Sequence, residues 1–177
     1  SLFGGNDGDV NEQVEAEWVR GTTPAERVRS VLRHTYEEQS ASEIATRART
    51  NENTASRHAR SLVSEGFAVE TSDPNSNETL YKRSEESLVM EEASRIREEV
   101  DDATLMTRIS EIQEELRAYR AKYGAESPED AALSDTDIDS EALQEWQTMR
   151  RNLGFARVAL AISNAKQNLT KVDSLDE

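Results

Sequence analysis

The residues best suited to chemistry lie close together between positions 51 and 66. Arginine guanidiniums donate to guanine and phosphate oxygens, and short amides and hydroxyls hydrogen-bond to base edges or to the sugar-phosphate backbone. Side chains of both kinds recur here, namely Asn53, Thr54, Ser56, Arg57 and Arg60. Their types and spacing indicate contact with the major groove of a double-stranded nucleic acid.

The same stretch has the apolar periodicity of an amphipathic helix. Its inward positions would be Ala55, Ala59, Leu62 and Val63, which fall on one stripe at 3.6 residues per turn. Gly66 follows the last periodic residue, where helices commonly stop. We therefore predict a recognition helix over about Asn51–Glu65. The alternative is a surface helix whose polar face is only solvated.

Two capping boxes precede this helix. Thr23 with Glu26, and Ser40 with Glu43, have the spacing at which a hydroxyl and a carboxylate satisfy each other's backbone donors. A short helix, a brief turn and a longer helix then give the spacing of a helix-turn-helix. Two residues of the short helix and its turn would contact the nucleic-acid backbone, namely Ser42 and Arg49.

A two-stranded wing is predicted over about Phe67–Arg83. Phe67, Val69 and Thr71 alternate as a half-buried strand does, and Asp73 to Asn77 have the composition of a turn. The returning strand ends in Lys82 and Arg83, which would lie beside the phosphates. A hairpin without any role in binding nucleic acid is the alternative.

Helical periodicity dominates from Ser84 onward. One possibility is a single long helix that ends at Gly124, and the other is a break at Asp101-Asp102. A second helix is expected over about Ser140–Leu169, and its residues 153–162 are apolar almost all round. We predict a long helical hairpin or coiled coil whose second helix holds two subunits together, with a single-chain hairpin as the alternative. The predicted dimerisation residues are Leu143, Trp146, Leu153, Phe155, Val158 and Ile162.

The formal net charge is −15, which is unusual for a protein that binds nucleic acid. Residues 22–83 nevertheless contain nine basic and nine acidic side chains, so all of the excess acid lies elsewhere. Only four of the basic residues are lysines. This composition resembles that of extreme halophiles, in which salt screens the self-repulsion of an acidic surface; an ordinary acidic protein is the alternative.

Several other classes find no support in the sequence. There is no cysteine, no apolar run of about 20 residues that could span a membrane, and no signal-peptide pattern, so we place the chain in the cytoplasm. Asp135, Asp137 and Asp139 resemble the start of a calcium loop, but Ser140 and Trp146 stand where the loop needs glycine and glutamate. We predict no metal, no cofactor and no enzymatic activity.

The segment from Thr54 to Val69, TASRHARSLVSEGFAV, resembles the recognition helix and wing entry of ArsR-like winged-helix regulators of archaea. The segment from Trp18 to Arg29, WVRGTTPAERVR, is similar to the lead-in of haloarchaeal members of that group. This resemblance covers residues 18 to about 83, and it implies a dimeric transcriptional regulator with the helix after Asn51 in the major groove. The cysteines with which some family members sense metals are absent.

The predicted architecture is mainly α-helical and has four parts. They are a flexible N-terminus (residues 1–17), a winged helix-turn-helix domain (18–83), long dimerisation helices (84–169) and an acidic tail (170–177). The function expected from this architecture is sequence-specific binding of double-stranded DNA by a homodimeric regulator. The alternative is a protein-interaction adaptor that uses the acidic C-terminal helices and keeps the winged-helix shape only as a scaffold.

Overall fold

A computed structural model describes the backbone of residues 7–134 and 137–175, and the side chains of residues 10–134 and 137–170. The chain divides into two compact units at Leu88, inside a helix that continues through the boundary. We refer to residues 1–88 as the winged-helix unit and to residues 89–177 as the helical unit. The fold is mainly α-helical, as predicted.

Within residues 7–88, the winged-helix unit contains four helices, a three-stranded sheet and the first turn of a fifth helix. Its elements are α1 (Asp7–Gly21), α2 (Pro24–Arg33), β1 (Gln39–Ser40), α3 (Ala41–Ala48), α4 (Glu52–Ser64), β2 (Ala68–Ser72), β3 (Thr79–Arg83) and the start of α5 (Glu85–Glu99). The sheet is antiparallel, with the strand order β1-β3-β2. Helices α3 and α4 form the predicted helix-turn-helix, and β2 and β3 form the predicted wing.

The predicted capping boxes start two of these helices. The Thr23 hydroxyl accepts from the Glu26 backbone N–H at 3.1 Å, and the Glu26 carboxylate accepts from the Thr23 N–H at 3.0 Å. Ser40 and Glu43 repeat this exchange at the start of α3. Asn51 caps α4 by accepting from the Thr54 N–H at 2.8 Å. Each cap satisfies backbone donors that the first helical turn leaves unpaired.

One continuous apolar core holds the winged-helix unit together. It comprises Val28, Val31, Leu32, Ile44, Ala45, Ala48, Ala55, Ala59, Leu62, Phe67, Ala68 and Tyr81. The predicted inward residues of α4 are therefore buried, except that Val63 is only partly buried. The small side chains of Ala55 and Ala59 let α4 approach α2 and α3 closely, and this approach fixes its orientation.

The segment predicted to be a flexible N-terminus contains most of helix α1, which begins at Asp7. Trp18 packs against the core of the unit, whereas Val14 and Val19 are 59% and 36% exposed. Residues 1–6 lie outside the described residues.

The helical unit contains the rest of α5 and three further helices, α6 (Asp102–Tyr123), α7 (Pro128–Leu133) and α8 (Ser140–Leu175). The chain breaks between α5 and α6, where Asp101 caps α6 by accepting from the Thr104 N–H at 2.7 Å. The predicted alternative of a break at Asp101-Asp102 is therefore confirmed, and a single long helix ending at Gly124 is not formed. Gly124 ends α6 in a left-handed conformation (φ 60°), which glycine adopts without steric cost.

Two features of the helical unit differ from the predictions. The acidic connector contains a short helix, α7, which Ser127 caps and Pro128 begins. Helix α8 also continues past Leu169 to Leu175, so the predicted acidic tail is helical over residues 170–175. No helix among the described residues combines the length and the apolar character that crossing a membrane requires.

The core of the helical unit lies mainly between α6 and α8. Its buried members are Ala93, Leu105, Ile109, Leu116, Ala131, Trp146, Leu153, Ala156 and Ala159. Trp146 is 0% exposed and Leu153 is 7% exposed within this single chain. Assigning these two residues to a subunit interface is therefore wrong, because intramolecular packing already covers them.

Candidate nucleic-acid interface

Helix α4 presents a polar stripe opposite its buried face. Asn53, Arg57 and Arg60 follow one another at intervals of four and three residues, so they lie on one side of the helix, and all three are exposed. Thr54 and Ser56 flank this stripe and are half-buried. The structure thus brings together the five predicted contact residues of α4 on one helix.

The two arginines of this stripe are available to a ligand. Neither Arg57 nor Arg60 forms an ion pair or hydrogen bond with any side chain among the described residues. The acid that ends the helix, Glu65, pairs instead with Arg29 at 3.1 Å. The guanidiniums can therefore bind an anion or a base edge without first breaking an internal contact.

A tight connection sets the angle between α3 and α4. Arg49 ends α3 in a left-handed conformation (φ 55°), and the Thr50 N–H donates to the Ala45 carbonyl at 3.0 Å. The Arg49 side chain pairs with Glu15 of α1 at 2.5 Å and remains about half exposed. Arg49 thus lies next to α4 and is already paired with Glu15. Ser42, the other predicted backbone contact of this region, is exposed on α3.

Arg27 is a positioning residue that the sequence analysis missed. It is only 5% exposed, and all of its backbone partners are carbonyl oxygens. Its guanidinium donates to the carbonyl of Ala48 at 2.8 Å, of Thr22 at 2.7 Å and of Val19 at 3.1 Å. These carbonyls lie at the ends of α1 and α3 and just beyond α1, where the helix dipole favours a positive charge. Arg27 therefore fastens both helices to α2.

A second buried arginine corrects one predicted contact. Arg83 is 5% exposed, and it donates to the hydroxyl of Ser87 at 3.2 Å and to the carbonyl of Arg33 at 3.4 Å. Its guanidinium also lies 4.9 Å from the centre of the Phe67 ring. The prediction that Arg83 positions the nucleic-acid backbone is therefore wrong, because its side chain is engaged inside the unit.

Two serines at the start of α5 hold the junction between α4 and the wing. The Ser84 hydroxyl donates to the Gly66 carbonyl at 2.6 Å, and the Ser87 hydroxyl donates to the Phe67 carbonyl at 3.0 Å. This role could not be recognised from the sequence, because the partners of the two serines lie 18 and 20 residues away.

The wing is mostly polar and carries more acid than exposed base. Lys82 is half-buried on β3 opposite Val69, whereas Glu70 and Glu78 are exposed. The turn is closed by Asp73, whose carboxylate accepts from the Asn75 N–H at 2.9 Å. With Arg83 buried, Lys82 is the single wing cation that could reach a phosphate in the described structure.

The described residues contain no group of three or more histidine, aspartate or glutamate side chains that could hold a metal ion. Asp135, the first residue of the calcium-loop resemblance, lies outside the described residues. The predictions of no metal and no cofactor therefore stay predictions.

These features define a winged helix-turn-helix unit, with an exposed polar stripe on its second helix, followed by a helical unit. The chain belongs to DUF7342, a family of unknown function, whose model matches residues 22–164. The family match covers most of both units. No curated protein matches this chain.

Among solved structures, the chain is similar to a transcriptional regulator at 21% identity and a TM-score of 0.36, over 86% of this chain and 88% of that one. It is also similar to a MarR family transcriptional regulator from Silicibacter pomeroyi DSS, at 23% identity and a TM-score of 0.33, over 62% of this chain and 78% of that one. Neither likeness is close enough to transfer a function.

Proposed function

We propose that this chain is a transcriptional regulator that binds double-stranded DNA in a sequence-specific manner as a homodimer. In this proposal α4 enters the major groove and the β2–β3 wing lies beside the sugar-phosphate backbone. The observation that carries the proposal is the exposed stripe of Asn53, Arg57 and Arg60. It lies on a helix whose opposite face is fixed in the core.

Each type of side chain would bind a different part of the DNA. Arg57 and Arg60 would bind guanine edges or phosphates, and Asn53 could bind adenine through its amide. The half-buried hydroxyls of Thr54 and Ser56 would contact bases or phosphates only at close approach. Because Arg83 is buried, we retain three of the four predicted phosphate contacts, namely Ser42, Arg49 and Lys82.

The dimer contact is proposed for the remaining apolar residues of α8. Trp146 and Leu153 are excluded by their burial, while Leu143, Phe155, Val158 and Ile162 are half-buried and keep an accessible edge. Two copies of α8 packed through these edges would remove that apolar surface from water. A dimer would also place two α4 helices on one DNA molecule, as two half-sites require.

Because the chain is acidic, the proposal also predicts how its affinity for DNA depends on salt concentration. If the chain works in molar salt, as ArsR-like regulators of haloarchaea would, repulsion between its acidic surface and DNA is screened within about 3 Å. Counterion release then contributes little affinity, so base-edge hydrogen bonds and shape must supply more of it. Binding should therefore weaken less steeply with salt than for a basic DNA-binding protein.

One observation favours the alternative adaptor function. The wing exposes Glu70 and Glu78, and Lys82 is its only cation that is not buried among the described residues. Phosphates would be repelled by this surface at low salt. A partner protein with a basic surface would fit it better.

The experiment is a selection of random duplexes by the purified full chain, carried out in parallel at low and at molar salt. The regulator proposal predicts enrichment of one sequence motif, with the two-fold repeat that a dimer imposes. Light scattering of the complex should show two protein chains and one duplex. Failure to enrich any motif at every salt concentration would reject the proposal in favour of the adaptor.

A further inference from the structure

The helical unit contains a cleft that the proposed DNA binding does not use. It lies between α6 and the beginning of α8 and has a volume of about 480 Å³, within the range of small-molecule sites. Its floor is formed by the half-buried rings of Tyr119 and Tyr123. The buried ring of Trp146 packs against both, with centroid distances of 5.5 Å and 6.1 Å.

The rim of this tyrosine cleft is acidic. Glu115, Asp139, Glu141 and Glu145 line it, and Lys122 is the single cation in the lining. Four carboxylates and one ammonium leave a net charge of −3 at neutral pH. None of the four carboxylates forms a salt bridge with a cation in the part of the chain that the structure describes.

Two of these carboxylates have partial internal partners. Asp139 accepts from the Ala142 N–H at 2.7 Å and so offsets the positive end of the α8 dipole. Glu145 accepts from the Tyr119 hydroxyl at 3.0 Å. Burial, followed by this hydrogen bond and the charge of Glu145, raises the pKa of Tyr119 above its ordinary value. The carboxylates of Glu115 and Glu141 accept no hydrogen bond from any of the described residues.

The aromatic floor already accommodates an ammonium group. The Lys122 Nζ lies 5.2 Å from the centre of the Tyr123 ring, within the range of a cation–π contact. Lys122 is exposed and sits on a flexible stem, so it can leave the ring face at little cost. The electron-rich ring and the carboxylates without a salt-bridge partner among the described residues therefore both favour a cationic ligand.

We propose that the tyrosine cleft binds an organic cation, namely an ammonium group attached to a flat or apolar body. The carboxylates would neutralise the charge, and the tyrosine rings would cover the apolar part and the face of the ammonium. A strongly hydrated monatomic cation gains nothing from the rings, which distinguishes the two ligand classes. This proposal does not depend on DNA binding.

The test is isothermal titration calorimetry of the full chain with benzyltrimethylammonium. Binding is expected, and it should weaken about tenfold or more in the double variant Glu141→Gln/Glu145→Gln, because two attracting charges are removed. Tyr123→Leu should weaken it about three- to tenfold by removing a ring face. Glu98→Gln, which removes one exposed carboxylate of α5 outside the cleft, is the control and should bind as the wild type does. Circular dichroism establishes that each variant is folded.

Three results would overturn the proposal. The first is no heat of binding at millimolar ligand. The second is equal binding of a neutral analogue of the same shape, which would make the cleft merely apolar. The third is equally strong competition by sodium and potassium at matched ionic strength, which would make it a site for monatomic ions. A failure to select DNA would leave all three readouts unaffected.

Discussion

Arginine side chains of this chain perform three different tasks that the residue type alone does not separate. Arg27 and Arg83 are buried and hold elements together, and Arg29 and Arg49 pair with carboxylates. Arg57 extends into solvent, as does Arg60. The sequence placed Arg83 in the interface because it stands at the end of a wing strand. Its burial depends on Ser87 and on the distant Arg33 carbonyl, which no local pattern reveals.

Replacing Arg27 should destabilise the winged-helix unit. Arg27→Ala would leave the buried carbonyl of Ala48 and the partly buried carbonyl of Thr22 without this donor, so the free energy of unfolding should fall by about 1–3 kcal/mol. Urea denaturation followed by circular dichroism measures this change. Arg60→Ala is the matched control and should change stability by no more than about 0.5 kcal/mol, because its exposed side chain forms no ion pair or hydrogen bond with the described residues. Equal losses in both variants would contradict the positioning role of Arg27.

At the scale of elements, the sequence predicted helix boundaries well where the signal depends only on residues close together in the chain. The two capping boxes and the glycine after α4 depend only on residues three or four positions apart, and they mark the helix boundaries correctly. Strand β1 was missed because its two residues become a strand only by pairing with Leu80 and Tyr81. Helix α7 was missed although Ser127 and Pro128 carry a start signal, because its acidic composition suggested a connector.

The apolar periodicity of α8 predicted its buried face but could not identify the partner of that face. A stripe of leucine, tryptophan and alanine is satisfied equally by a helix of the same chain or of another subunit. Helix α6 covers Trp146 and Leu153, so the single-chain hairpin accounts for these two residues. The sequence therefore predicted the presence of the two long helices better than which helix covers the apolar stripe of α8.

The cap of α6 should make the helical unit sensitive to acid. The pKa of Asp101 lies below its ordinary value of 3.8, because its carboxylate accepts from the Thr104 backbone N–H and is also stabilised by the Thr104 side chain. A lowered folded-state pKa means that the stabilisation is fully present above the unfolded pKa and is lost as the pH falls through the folded one. Asp101→Asn, which keeps the cap but cannot titrate, should lose less stability on acidification below about pH 4.

The matched variant for this test is Asp101→Ala, which removes both the cap and the titration. Its stability should be lower than that of Asp101→Asn across the whole pH range. Thermal unfolding between pH 2.5 and pH 7 compares the three proteins. Parallel pH profiles of the wild type and Asp101→Asn would show that this carboxylate contributes nothing to acid sensitivity.

The distribution of charge is the main property of the whole molecule. Residues 22–83 are neutral, whereas the rest of the chain carries the entire −15. If the proposed function is right, the neutral charge of residues 22–83 would let DNA approach the winged-helix unit, while the net negative charge of the remainder would oppose non-specific association. The family match over residues 22–164 covers the neutral segment and most of the acidic remainder.

The proposed assembly can be tested by placing a charge on the accessible edge of α8. Ile162→Asp should convert a dimer into a monomer, because the half-buried side chain would bring an unpaired carboxylate into the interface. Leu133→Asp is the control, since Leu133 is 89% exposed and lies outside α8. Light scattering gives the mass of each protein. A dimeric Ile162→Asp variant, or a monomeric wild type, would rule out this interface.

The most direct measurement of the central claim compares the wild type, Arg57→Ala and Arg108→Ala for binding to a selected duplex and to its scrambled version. Fluorescence anisotropy at fixed salt should show that Arg57→Ala loses about 1–3 kcal/mol on the selected duplex and much less on the scrambled one. Arg108→Ala removes an exposed arginine of α6 and should bind both duplexes as the wild type does. Equal affinity of Arg57→Ala and the wild type for the selected duplex would contradict the assignment of α4 as the DNA-reading helix.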